Sequence, residues 1–293
     1  MSSSELLQFV VAGLKNGSIY ALVALGFTIV YAATRVINFA QGEFFMLGGM
    51  FAVFALTGLG LPLPLAIVLG VVGTAGAGLA FDMLAIRPRK DADPLALIII
   101  TIGGSMLIKS FARHRFGPNE LPLPPFTTGS SVEVFGATIE LQTLWIWALT
   151  LVAVLGLSFL YSKTKLGRAM RACMENREAA RLMGIDTQRV VMISFGLAAA
   201  LGALAGVVVA PLTQTSWDVG TFVGVKGFAA AILGGLGNPF AAVAGGIVLG
   251  LVESLSIGFL SSTYKDVVAL VVLLSVLFVR PQGLFRRSGK EKV

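Results

Sequence analysis

The stretch VVMISFGLAAALGALAGVVVA, residues 190–210, decides how the rest of the chain is read. It carries no charge, and its only hydroxyl is Ser194. As a helix rising about 1.5 Å per residue, it covers the roughly 30 Å of hydrocarbon in a bilayer. Comparable apolar runs lie before it at 6–33, 38–57, 62–86, 94–113 and 142–161, and after it at 222–237, 240–260 and 265–280. The whole chain is 56% hydrophobic and 13% charged, with mean hydropathy +0.88. That leaves too little polar surface for a soluble domain of 293 residues. The runs are continuous rather than alternating, which argues against a transmembrane barrel. The 35 glycines suit closely packed membrane helices. The expectation is an all-α polytopic membrane protein, one domain over 1–293, with about 8–9 spans including the short glycine-rich run at 222–237.

Charge sets the topology. Lys and Arg concentrate at 87–90, at 163–189 and in the tail with Arg280, Arg286, Arg287, Lys290 and Lys292. Basic segments between spans stay cytoplasmic. The net charge of +7 therefore reports orientation and gives no reason to expect a nucleic-acid partner. The loop 116–141 has no Lys or Arg but carries Glu120, Glu133 and Glu140, and is expected outside. With 163–189 and the tail both inside, an even number of crossings separates them, so 222–237 must cross. Counting back puts the N-terminus outside, Arg35 near the cytoplasmic face and the C-terminus inside. The start MSSSE lacks the basic residues of a cleavable signal, so the first run is expected to remain as a helix. Gly13, Asn16 and Gly17 are expected to break that run into an interfacial piece and a true span.

Polar residues inside apolar runs are the candidates for function. In RVINFAQGEFFMLGGM (35–50), Asn38 can cap a helix, with Gln41 and Glu43 in its first turns where the dipole favours negative charge. One reading is a capped helix start at the interface. The other is a polar helix start lining a water-filled route, since carboxylates at membrane depth face a cavity or a partner. Thr101 and Ser105, in TIGGSMLIKS, either back-bond within a packed helix or line a pore. Glu253 lies deep in an apolar run and must be paired or face a cavity. Gly234, Gly235 and Gly237 precede Asn238 and Pro239, which reads as a tight turn between two helices near the inner face. The tripeptide LGG recurs at 47–49 and 233–235, too little to establish an internal repeat.

The segment 163–189 reads as an amphipathic helix from Leu166 to Met183. Leu166, Met170, Cys173 and Met174 share one face, with Arg168, Arg171, Arg177 and Arg181 around the others. Gly184 is placed to end it. It either rests on anionic lipid or docks as a knob on a cytosolic partner, where the small residues Ala179, Ala180 and Gly184 allow close approach. No G-x-x-x-x-G-K-[ST] loop occurs, so the chain shows no nucleotide site of its own. One histidine, His114, and one cysteine, Cys173, form neither a metal cluster nor a triad, and Cys173 has no partner for an intrachain disulfide. An enzyme is not expected.

Together, NGSIYALVALGFTIVY, RVINFAQGEFFMLGG, the Glu178-Ala179-Ala180…Gly184-Ile185-Asp186 loop and KGFAAAILGGLGNPFAAVAGGIVLGLVE resemble the permease subunits of branched-chain amino acid ABC importers, the LivH family. The resemblance covers nearly the whole chain; many members carry His where this chain has Gln41. It implies an ABC importer permease fold in a bacterial inner membrane, surrounded by lipid and without a cofactor of its own. It implies a second homologous permease, two cytosolic ATPase subunits that bind ATP and Mg, and a periplasmic substrate-binding protein. Glu178, Ala179, Ala180 and Gly184 would then form the coupling loop. Asn38, Gln41, Glu43, Thr101, Ser105 and Glu253 are the candidates for the translocation pathway. Related permeases handle leucine, isoleucine and valine, others urea or short amides. Two rivals stay open: an ion-coupled secondary transporter using Glu43, Asp82 and Glu253, and a structural membrane scaffold.

Overall fold

Inside hydrocarbon the backbone has no water to bond, so each apolar run closes its own hydrogen bonds as a helix. The structure is a computed structural model that describes residues 3–89, 92–129, 131–134, 136–259, 262–280 and 283–285. Its helices, in order, are α1 (Ser3–Thr34), α2 (Gln41–Val53), α3 (Leu63–Phe81), α4 (Pro94–Phe116), α5 (Leu141–Lys163), α6 (Lys165–Glu175), α7 (Arg177–Leu182), α8 (Thr187–Thr213), α9 (Val219–Gly234), α10 (Pro239–Phe259) and α11 (Lys265–Val279). Proline opens α4 and α10, where its missing N–H leaves no intrahelical bond unmade. Both α2 and α3 loosen at their ends into π-helical turns, Phe54–Gly58 and Asp82–Ile86.

Six helices among the described residues are long and apolar enough to cross a bilayer: Ser4–Thr34, Leu63–Arg89, Pro94–Phe116, Leu141–Lys163, Thr187–Thr213 and Pro239–Phe259. The runs read as spans at 38–57, 222–237 and 265–280 form shorter helices, so six of the expected 8–9 spans meet the criterion of length and composition. α1 sits at the centre, with 89% of its apolar window buried, whereas α4 buries only 17% and lies on the rim. α1 packs chiefly on α10 and α8, and α2 on α8, α3 and α9.

One sequence expectation is corrected here. Gly13 and Gly17 do not break α1, which is continuous. They are contact positions: a methyl group on Gly17 would meet the backbone of Ile247 at 2.8 Å, and one on Gly13 that of Leu251 at 2.9 Å. Small residues there let α1 and α10 approach backbone to backbone. The loop 116–141 is not wholly irregular. It holds a short antiparallel hairpin, β1 (Val132–Val134) with β2 (Ala137–Ile139), pairing Val132 with Ile139.

Contacts between segments define two ends of the bundle. At one, Gln8 clasps Thr138 of β2 through two hydrogen bonds, 2.9 and 3.1 Å, and Leu121 bridges Thr215. The N-terminal turn and the loop 116–141 therefore share an end. At the other, the Arg35 guanidinium donates to the Met174 carbonyl, joining the end of α1 to the segment 163–189. Of the basic residues used for topology, Lys90, Arg286, Arg287, Lys290 and Lys292 lie outside the described residues.

Candidate functional site

The chain leaves α1 through Arg35, which takes a left-handed conformation (φ 59) that non-glycine residues rarely adopt. It then turns back into the bundle, where Asn38, Gln41 and Glu43 are 0%, 0% and 2% exposed. This corrects the reading of Asn38 as the cap of the helix that follows. Ala40, not Asn38, is the N-cap residue of α2; the Asn38 side chain accepts from the Ala40 N–H at 3.1 Å and forms a turn ahead of the helix. Thr101 fixes the depth of this turn. Its Oγ1 accepts from the Phe39 N–H at 3.2 Å and donates to the Ile98 carbonyl at 2.8 Å. Glu43 lies deeper still. Its Oε1 accepts from Ser105 Oγ at 3.0 Å, and Ser105 is the central residue of α4. The carboxylate thus sits level with the middle of α4.

Gln41 donates from Nε2 to the Ala198 carbonyl of α8 at 2.9 Å, packed where Gly26 of α1 leaves room for the amide. α2 meets α9 equally closely, because Gly42 faces Gly220 and Gly224 with no side chain between them. An open cleft of about 400 Å³ lies between α1, α2, α4 and α9. Glu43, Ser105, Lys109 and Thr221 form its polar part, and Phe27, Phe39 and Phe228 an aromatic arc with ring centroids 5.6 and 5.7 Å apart. The sequence reading missed Lys109 and Thr221. The signal was present: Thr101, Ser105 and Lys109 recur every four residues and so share one face of α4.

Glu253 belongs elsewhere. It is 3% exposed and paired, with Oε1 2.5 Å from Lys226 Nζ and Oε2 accepting from Tyr20 OH at 2.7 Å. Lys226 also reaches Asp266 at 2.9 Å. The structure does not bring Glu253 to the cleft. Asp82 is 1% exposed and lines a separate cavity of about 30 Å³ with Asn38, Thr101, Arg177 and Gln188. Glu43, Asp82 and Glu253 share no hydrogen-bond partner among the described residues, so they form no single ion site. No group of three or more His, Cys, Asp or Glu suited to a metal occurs among those residues either.

The segment 163–189 is built as two arms, not the single helix expected from Leu166 to Met183. Thr164 caps α6 by accepting from the Gly167 N–H at 3.0 Å. Met170 and Cys173 bury the inner face of α6, and burial raises the Cys173 thiol pKa above its ordinary value while Arg177 pulls it partly back. Asn176 adopts an extended conformation, which breaks the helix, and its Oδ1 starts α7 by accepting from the Ala179 N–H at 2.9 Å. Gly184, at φ +81, closes α7: its N–H bonds the Arg181 carbonyl and that of Ile185 the Ala180 carbonyl. That is the Schellman arrangement, which requires a left-handed residue. Asp186 then caps α8. Ala180 packs inward at 4% exposure, while Glu178, Ala179 and Gly184 face out beside Leu182 and Met183, which are 89% and 83% exposed. Those two apolar side chains at the tip were not among the residues singled out from the sequence.

Comparison with known proteins adds to this geometry. Residues 9–277 match the family model described as branched-chain amino acid transport system / permease component. The chain is 36% identical to the high-affinity branched-chain amino acid transport system permease protein LivH of Escherichia coli K12, over 98% of this chain and 97% of the relative. It is 34% identical to the corresponding permease protein BraD of Pseudomonas aeruginosa, over 98% of both. Among solved structures, a protein described as a metal-chelate type ABC transporter in an inward-facing conformation aligns over 93% of this chain and 85% of its own, with TM-score 0.50 and 16% identity. At that identity the likeness concerns the fold alone.

Proposed function

This chain belongs to the branched-chain amino acid transport system / permease component family, and from that premise we propose that it is the membrane-spanning permease subunit of an ATP-driven importer of branched-chain amino acids. The observation that carries the proposal is 36% identity with LivH over 98% of the chain, a span that includes the cleft and the two-armed segment 163–189. Its multi-pass helical architecture supports it.

On this reading α2, α9 and α11 complete the crossings, which places the N-terminus and the loop 116–141 outside and the segment 163–189 inside. The exposed tip of α7, with Glu178, Ala179, Leu182, Met183 and Gly184, would seat in a cytosolic ATPase, and Ala180 would hold that arm to the bundle. A second permease would close the open side of the cleft. A binding protein outside would deliver the substrate. ATP and Mg would be bound by the ATPase subunits. Alternating access follows when ATPase closure moves a lever that has two discrete positions.

The test is uptake by proteoliposomes holding both permeases, both ATPases and the binding protein. Leucine is expected to accumulate only with ATP. Leucine movement driven by an ion gradient in vesicles lacking the ATPases would replace the importer with a secondary transporter. ATP-driven uptake of urea but not leucine would move the substrate to the amide class.

A further inference from the structure

Glu43 sits level with the middle of α4 with only one carboxylate oxygen engaged. Oε1 meets Ser105 and, at 3.5 Å, Thr221; Oε2 has no partner although the side chain is 2% exposed. Lys109 Nζ donates to the same Thr221 hydroxyl at 3.0 Å and stands 5.2 Å from the centre of the Trp217 ring. A cation and an anion in a low-dielectric cleft attract strongly and would collapse together if nothing intervened. Here one hydroxyl separates them, with the ammonium and one carboxylate oxygen each keeping unused hydrogen-bonding capacity. The rest of the cleft is walled by Phe27, Phe39 and Phe228, with Ile102, Met106 and Val225 alongside.

A ligand that fits this arrangement carries two adjacent opposite charges and an apolar branch. We propose that the cleft is a binding site for the zwitterion of an α-amino acid, with Glu43 accepting from its ammonium, Lys109 donating to its carboxylate, and the aromatic arc around Phe228 holding its aliphatic side chain. The proposal rests on the importer reading above and adds to it a recognition step within the permease itself. Such a site disfavours neutral amides because a missing ammonium leaves the buried Glu43 unmatched and a missing carboxylate leaves Lys109 without its opposite charge.

The test uses the complete transporter without its binding protein, in nanodiscs, with tritiated leucine followed by scintillation proximity. Competitors are 4-methylpentanoate, which lacks the ammonium, and 3-methylbutylamine, which lacks the carboxylate. Glu43→Gln is expected to weaken leucine and the amine by at least about tenfold and leave the acid unchanged. Lys109→Met is expected to do the reverse, weakening leucine and the acid but not the amine. Glu43→Asp and Lys109→Arg should retain leucine binding, which excludes simple misfolding. The proposal is overturned if wild type binds no leucine, if neither variant changes its affinity, or if both variants lose all three ligands alike. Uptake with the binding protein present separates the two levels. ATP-driven leucine uptake at normal turnover in Glu43→Gln removes the site and leaves the importer standing, whereas wild type without such uptake removes the importer.

Discussion

Replacing Lys226 with Met strands a carboxylate in the membrane. Glu253 is 3% exposed, and its two charged or polar contacts are Lys226 at 2.5 Å and the Tyr20 hydroxyl at 2.7 Å. Met fills much of the lysine's volume, so packing changes little, but Glu253 keeps only the phenol. Breaking a buried pair on one side costs about 3–5 kcal/mol, chiefly from the unmatched charge left behind. The second arm of the cluster adds little, because the Asp266 side chain is 60% exposed and exposed pairs contribute about 0–1 kcal/mol. At roughly 2 °C per kcal/mol for a chain of this size, the melting temperature should fall by about 6–10 °C. The double variant Lys226→Met with Glu253→Gln removes both charges and keeps an acceptor for Tyr20. It should recover most of that loss. Tryptophan fluorescence on heating the detergent-solubilised protein measures both. A single variant that melts with wild type, or a double variant no better than the single, would refute the stranded-charge argument.

Gly250→Val pushes a branched side chain onto the backbones of Gly13 and Gly17 at the α1–α10 crossing; it should destabilise by about 1–3 kcal/mol or more, read as a lower melting temperature, while Gly76→Val, where nothing lies within 4 Å, should melt close to wild type. Gly184→Trp meets open space but a left-handed backbone, so the protein should insert normally while ATP hydrolysis proceeds without uptake; normal uptake would count against the docking role. Cys173 should alkylate slowly at neutral pH and faster as pH rises, because its thiolate forms only above the ordinary thiol range; rapid maleimide labelling at pH 7 would contradict its burial. For the same reason the sidedness of this segment is better mapped from Met183→Cys in a Cys173→Ser background, since Met183 is 83% exposed.

Much of the architecture was legible because hydropathy acts over whole runs. The apolar stretches became helices, and the Gly235–Pro239 turn formed where glycine and proline demanded it, with Gly235 and Gly237 at positive φ. What depends on a distant surface was not legible. Gly13 and Gly17 look like breakers until α10 is seen against them, and Asn38 looks like a cap until the chain is seen turning inward. Glu253 was expected to be paired or to face a cavity, but its partner was not named. Lys226 was the unread hint, a lone charge in a short apolar run one tight turn away. Lys109 was missed because it was read as part of a string rather than as the third residue on a face with Thr101 and Ser105.

The break at Asn176 has a mechanical meaning. A single rod across 163–189 would swing as one piece about its junction with α5. With a joint at Asn176, the outer arm is a helix of its own packed against the inner one, and its far end runs through Gly184 and Asp186 directly into α8. Under the docking proposal, load applied at Leu182 and Met183 is delivered along α8 and reaches Ala198, whose carbonyl holds the Gln41 amide. α6, anchored by Met170 and Cys173, then acts as a stationary bearing, and α8 is the shaft that carries the stroke to the middle of the bilayer.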